Sequence, residues 1–248
     1  MINNYLNALG LAIQYYSRIP LPFSFPYQEE NVKRTIFFLP FIGWLLGGLV
    51  YLFYDFFHPY FPKSLFAVFL VVFLLWLTGA LHADGWMDVF DGIGSCQSKE
   101  KMLTIMKDSR VGAMGVIGFM GLYSIKIFSL SILLSSDLIK EALIITPLIA
   151  RWGVLLAIVL FPYARDEGLG KQYKDWFKLP MLFVSIIWLL PGFWLSSYFP
   201  FMLLINLIFI ILSGVYFKKK IEGLTGDVYG WMIEGGEMLL WIMLVVYL

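Results

Sequence analysis

The chain has 248 residues, of which 60% are hydrophobic, 19% aromatic and only 14% charged. A mean hydropathy of +0.80 lies outside the soluble globular range. A formal charge of +1 gives no field suited to nucleic acid, and the single cysteine, Cys96, cannot form an intrachain disulfide and has no partner in a metal-ligand spacing.

Near the start lies an apolar run, LNALGLAIQYY. No positive region precedes it and no small-residue cleavage site follows, so it reads as an N-terminal interfacial or partly inserted helix rather than a cleaved signal. Arg18 follows in Ser17-Arg18-Ile19-Pro20-Leu21-Pro22, where the prolines end the helix. Apolar runs near the bilayer-spanning length of about 20 residues then fall at 35–58, 64–83, 111–134, 139–161, 180–198, 200–217 and 228–248. With no linker, low-complexity tract or repeat between them, the expectation is an all-α, polytopic membrane protein of about seven spans in one domain covering 1–248.

Basic residues orient these spans. If the loop carrying Lys33 and Arg34 is cytoplasmic, the loops at 84–110, 162–179 and 218–227 share its side. All but four of the 18 lysines and arginines then lie there; Lys63 and Lys140 lie opposite, and Lys126 and Arg151 fall within spans. The protein is therefore expected in a prokaryotic inner membrane with its site facing the cytoplasm.

That side carries LHADGWMDVFDG. On a helix, Asp84, Asp88 and Asp91 fall within about 60° of one another, so their carboxylates share a face. Like charges gathered near a membrane repel and are costly to desolvate, which calls for a hard divalent cation; where phosphates are bound, Mg²⁺ is the usual one. Just downstream, Lys107, Ser109 and Arg110 in KDSR are candidates to hold phosphate oxygens. His82 is a weaker candidate, because in projection it points away from the aspartates.

In the second half, Arg151 sits inside the apolar run PLIARWGVLLAIVLF and should meet a carboxylate or a ligand phosphate. The 162–179 loop mixes both signs and reads as solvated surface. The last loop sets Thr225-Gly226-Asp227 before the final apolar run, with Glu234 and Glu237 beyond. Asp227 and Glu234 lie about 20° apart in projection, which predicts a second acidic face entering the membrane from the same side.

Taken together, SRIPLP, LHADGWMDVFDG, IMKDSRVGAMG, ARW and the TGD loop occur in the order seen in the cobalamin-5'-phosphate synthase (adenosylcobinamide-GDP ribazoletransferase) family, and the chain resembles that family over nearly its whole length. The chain has bulkier residues than the family usually has at Trp86-Met87, Val89-Phe90, Tyr229 and Trp231, which bears on pocket shape and base preference. The resemblance implies a late step of vitamin B12 assembly in which α-ribazole, or its 5'-phosphate, joins adenosylcobinamide-GDP with release of GMP and a requirement for Mg²⁺. It casts Asp84, Asp88, Asp91 and Asp227 as metal ligands, with Asp91 first and Asp88 second as the base. Lys107 and Arg110, with Ser109, Arg18, Arg151 and His82, would contact substrate. Membrane lipid and the two small-molecule substrates are the expected partners; self-association and association with other corrinoid enzymes stay open. The alternatives are a CDP-alcohol-type lipid phosphotransferase, which shares the metal and leaving-group logic, and a cation transporter, in which intramembrane carboxylates would line an ion path.

Overall fold

The computed structural model describes residues 2–248. Helix α1 (Ile2–Tyr16) is followed by a single turn, α2 (Glu29–Val32), which runs through a 3₁₀ stretch into α3 (Leu39–Phe57). Next come α4 (Lys63–Leu77), α5 (Leu81–Gly94), the short α6 (Lys99–Ile105) and α7 (Ala113–Leu133). A π-helical turn at Glu141–Ile145 leads into α8 (Thr146–Leu160). After α9 (Leu169–Trp176), α10 (Leu179–Ser185) and α11 (Leu190–Leu195), two long helices finish the chain, α12 (Phe199–Ile221) and α13 (Gly226–Tyr247).

The protein is an all-α polytopic membrane protein. Among the described residues, five helical stretches are long and apolar enough to cross a bilayer: Glu29–Tyr60, Ala113–Leu133, Glu141–Leu160, Phe199–Ile221 and Gly226–Tyr247. Each of the other two expected spans adjoins a sharp bend. The 64–83 candidate stops at Leu77, and α5 leaves α4 at 92°; α9 and the Leu179–Leu195 segment meet at the same angle. The first break is built by Gly79 and Ala80, with φ of 61° and 59°, a left-handed conformation that ends α4 and that glycine adopts without a Cβ clash. The acidic stretch is therefore a helix of its own rather than the tail of a span. α1 is about 22 Å long, short of the ~30 Å hydrocarbon core, and it packs on the 3₁₀ stretch, α2 and α3.

At the centre stands α13, packed on α5, α7, α8 and α12. α8 is buried nearly all round, from Thr146 through Leu155. The outer helices bury one face and turn large apolar residues outward, among them Trp76, Ile117, Met120, Phe128 and Leu212. Lipid is the solvent those side chains match.

Candidate active site

α5 crosses the first turn of α13 at Gly85. A Cβ at Gly85 would stand 2.8 Å from the Asp227 carbonyl oxygen, so the two backbones close only on glycine. The crossing gathers carboxylates from distant parts of the chain. Asp84 is exposed and Asp88 half-buried. Asp88 feels the charges of Asp227 and Asp84 and, more weakly, of Asp91, with Arg165 opposing them.

Asp91 is engaged differently. Its Oδ2 accepts the Gly112 N–H and its Oδ1 the Gly115 N–H, each at 2.7 Å. These are free amides at the N-terminus of α7, where a carboxylate is favoured by the helix dipole. Asp91 thus ties α5 to α7, and both its oxygens are used in doing so.

Arg165 lies in the loop expected to be solvated surface, and there the structure differs. The Leu224 N–H donates to the Pro162 carbonyl at 2.9 Å and the Ala164 N–H to the Leu224 carbonyl at 2.8 Å. This short pairing leaves the Arg165 side chain only 14% exposed, and its Nη2 donates to Asp227 Oδ2 at 2.7 Å. Thr225 caps α13 by accepting the Val228 N–H at 3.2 Å and so fixes where Asp227 projects.

Among the basic candidates, Lys107, Ser109 and Arg110 are exposed in the α6–α7 loop, two residues and more before Gly112. Arg110 donates through Nε to Asp108 Oδ1 at 2.9 Å and through Nη2 to Oδ2 at 2.6 Å. These bonds, with one from the Arg110 amide, hold the Asp108 carboxyl down at about 2. Arg18 is exposed, and its Nε lies 2.5 Å from where a Gly79 Cβ would sit, so its guanidinium lies over the α4–α5 break. His82 is buried, with its ring stacked on Tyr16 at 6.5 Å and its Nδ1 without a hydrogen-bond partner among the described residues.

Arg151 meets a carboxylate, one of the two partners expected for it. It is 1% exposed and donates to Glu237 Oε1 at 2.7 Å. The other Glu237 oxygen accepts from Lys126 Nζ at 2.8 Å, and Lys126 also bonds Glu234. Two cations and two anions thus join α7, α8 and α13 deep in the bundle. The second acidic face expected along α13 is therefore divided: Asp227 faces Arg165 at the helix end, while Glu234 is neutralised two turns in.

A cleft of about 160 Å³ opens beside the carboxylates, lined by Tyr16, His82, Asp84, Tyr173, Asp227 and Tyr229, among others. Sequence reasoning did not single out Tyr16, Tyr173 or Arg165. A tyrosine in an aromatic-rich membrane protein carries no distinguishing signal, and the arginine owes its position to a two-residue backbone pairing. Lys126, alone in an apolar run, was the visible one.

The carboxylates supply hard oxygen donors with a net negative charge, which suits Mg²⁺. Among the described residues, however, no three His, Cys, Asp or Glu side chains close into a ready metal cage. Asp91 is turned to α7 and Asp227 to Arg165, leaving Asp84 and Asp88 without hydrogen-bond partners among the described residues. That set fits an ion held by one or two carboxylates and completed by substrate phosphates and water, the usual arrangement for Mg²⁺.

The cobalamin-5-phosphate synthase family model matches residues 8–245. A curated adenosylcobinamide-GDP ribazoletransferase from Brevibacillus brevis is 35% identical over 97% of this chain and 98% of its own. Enzymes of the same name from Desulfitobacterium hafniense and Caldanaerobacter subterraneus are 33% and 34% identical, over 94% and 96% of this chain and 94% and 97% of theirs. No solved structure matches. With near end-to-end similarity, the chain belongs to the cobalamin-5-phosphate synthase family and is a transferase.

Proposed function

We propose that this protein joins α-ribazole, or its 5'-phosphate, to adenosylcobinamide-GDP and releases GMP, in a Mg²⁺-dependent reaction at the cytoplasmic end of an inner-membrane helix bundle. The observation that carries the reading is the convergence of Asp84, Asp88 and Asp227 from two distant segments at one helix crossing, in a chain similar from end to end to enzymes of that name.

In this reaction a ribose hydroxyl oxygen forms a bond to the corrinoid-side phosphorus, the bond from that phosphorus to the GMP oxygen breaks, and the hydroxyl proton passes to a base. Asp88 suits the base: it carries no hydrogen bond among the described residues, and its partial burial first, then the field of Asp227 and Asp84, favours taking up a proton. Asp91 suits a bracing role, since both its oxygens hold α7 amides. Mg²⁺, when bound by Asp84 together with substrate phosphates and water, would neutralise phosphate oxygens and the departing GMP. Arg165 holds Asp227 in place and would offer its Nε–H, unpaired among the described residues, to a phosphate. Lys107, Ser109 and Arg110 stand exposed to approaching phosphate, with the Arg110 fork exchanging Asp108 for substrate.

The test is purified protein in detergent with adenosylcobinamide-GDP and α-ribazole, following GMP by chromatography. GMP release that needs both substrates and Mg²⁺ is expected. CMP release from a CDP-alcohol with a lipid acceptor would instead identify a lipid phosphotransferase, and cation flux in proteoliposomes without nucleotide turnover would identify a transporter.

A further inference from the structure

We propose that the cleft between α1, α5, α9 and the start of α13 is the subsite for the heteroaromatic base of the nucleoside acceptor; this deepens the transferase reading above and rests on it.

One wall of the cleft is fixed by a chain of hydroxyls. Tyr16 Oη donates to Tyr173 Oη at 2.8 Å, and Thr35 Oγ1 lies 2.8 Å from the same Tyr173 oxygen. Thr35 in turn donates to the Val32 carbonyl. These bonds occupy the phenols and hold the rings, so what the tyrosines offer a ligand is their flat apolar faces, the surface on which planar bases stack. Leu81, Val154 and Ile233 supply further apolar lining.

Against this apolar setting, two buried polar atoms have no partner among the described residues: His82 Nδ1 and Tyr229 Oη. Both residues line the same cleft and are over nine-tenths buried. Buried polar groups are nearly always satisfied, and two orphans in one cavity point to a ligand that supplies the missing bonds. An imidazole nitrogen and a phenol suit a heterocycle with one or two ring nitrogens. A guanine edge presents a carbonyl, a ring N–H and an amino group side by side, and these two atoms cannot satisfy it. The cleft therefore suits the acceptor's base better than the guanine of the leaving nucleotide.

Position agrees with that assignment. Asp84 and Asp227 line the same cleft, so a nucleoside with its base among the tyrosines reaches the carboxylates with its ribose. Beyond Tyr173 and Leu169, a second, apolar hollow of about 220 Å³ bounded by Tyr15, Tyr27 and Val32 continues the space and would take ring substituents.

The experiment compares wild type with Tyr229→Phe in detergent, at saturating adenosylcobinamide-GDP. The KM for α-ribazole should rise about tenfold, the scale of one hydrogen bond, with kcat and inhibition by added GMP unchanged. Because the removed hydroxyl has no partner in the free protein, the variant should unfold no earlier than wild type. A GMP inhibition constant that weakens while the ribazole KM holds would assign the cleft to guanine, and no change in either would show that it holds no base. As a second variant, Leu169→Ala widens the passage from the cleft to the hollow and should raise kcat/KM for a dimethylbenzimidazole riboside relative to an unsubstituted one; an unchanged ratio counts against the assignment. If wild type releases no GMP at all, the transferase reading has failed, and equilibrium dialysis of α-ribazole against both proteins still tests the cleft: equal binding, or none, refutes it.

Discussion

Replacing Lys126 with methionine is the sharpest probe of the bundle's interior. Lys126 is 2% exposed and bonds both Glu234 and Glu237, themselves 4% and 1% exposed. Its removal leaves two buried carboxylates facing one arginine, the Arg151 bond to Glu237 at 2.7 Å. Breaking a buried pair from one side costs about 3–5 kcal/mol, because the remaining charge loses its partner without regaining water. The double variant Lys126→Met with Glu234→Gln removes one charge of each sign and leaves the Arg151–Glu237 pair whole. It should recover at least half of the loss, since a neutral amide in that position needs hydrogen bonds but no counter-ion. Equilibrium unfolding in mixed micelles, run as a double-mutant cycle, measures both numbers. A single-variant loss under about 1 kcal/mol, or a double variant as unstable as the sum of its singles, would refute the view that charge balance holds α7 to α13.

Three further outcomes follow from the site. Asp88→Asn should lower kcat by about 10²-fold or more with little change in unfolding temperature, because the half-buried carboxylate has no bond to lose among the described residues; an unaltered GMP release rate would remove it from the chemistry. Asp91→Asn should instead destabilise by about 1–3 kcal/mol, since an amide offers one acceptor oxygen where two backbone N–H groups now donate; circular dichroism melts of the two variants side by side would show the reverse order if Asp91 were free to act as base. Treatment with a chelator should abolish GMP release and added Mg²⁺ should restore it, whereas full turnover in excess chelator would leave the carboxylates with a purely protein role.

Much of this molecule is legible in its residues because the membrane imposes a harsh rule. Apolar runs near 20 residues must be helices, since no other open segment satisfies its backbone in lipid. That rule suffices for the straight spans and for the all-α class. The same cost of burying charge makes Asp84, Asp88 and Arg151 conspicuous within apolar text, and Arg151 indeed meets a carboxylate. Helical spacing correctly put the aspartates on one helix but could not tell that Asp91 would turn to the α7 amides, because that depends on where a neighbouring helix begins.

What the chain alone determined, then, was local: which segments are helical, where charge enters the membrane, and which motifs carry it. Tertiary structure decided what meets what. The 92° bend at Gly79-Ala80 lays the acidic helix across α13, a two-residue pairing delivers Arg165 to Asp227, and packing α7, α8 and α13 together sorts Lys126, Arg151, Glu234 and Glu237 into one neutral cluster. Hydropathy and periodicity encode only how each segment prefers to fold and which face it buries, whereas these contacts join residues far apart in the chain, 142 positions at Gly85 and Asp227, and depend on the angles at which rigid helices cross.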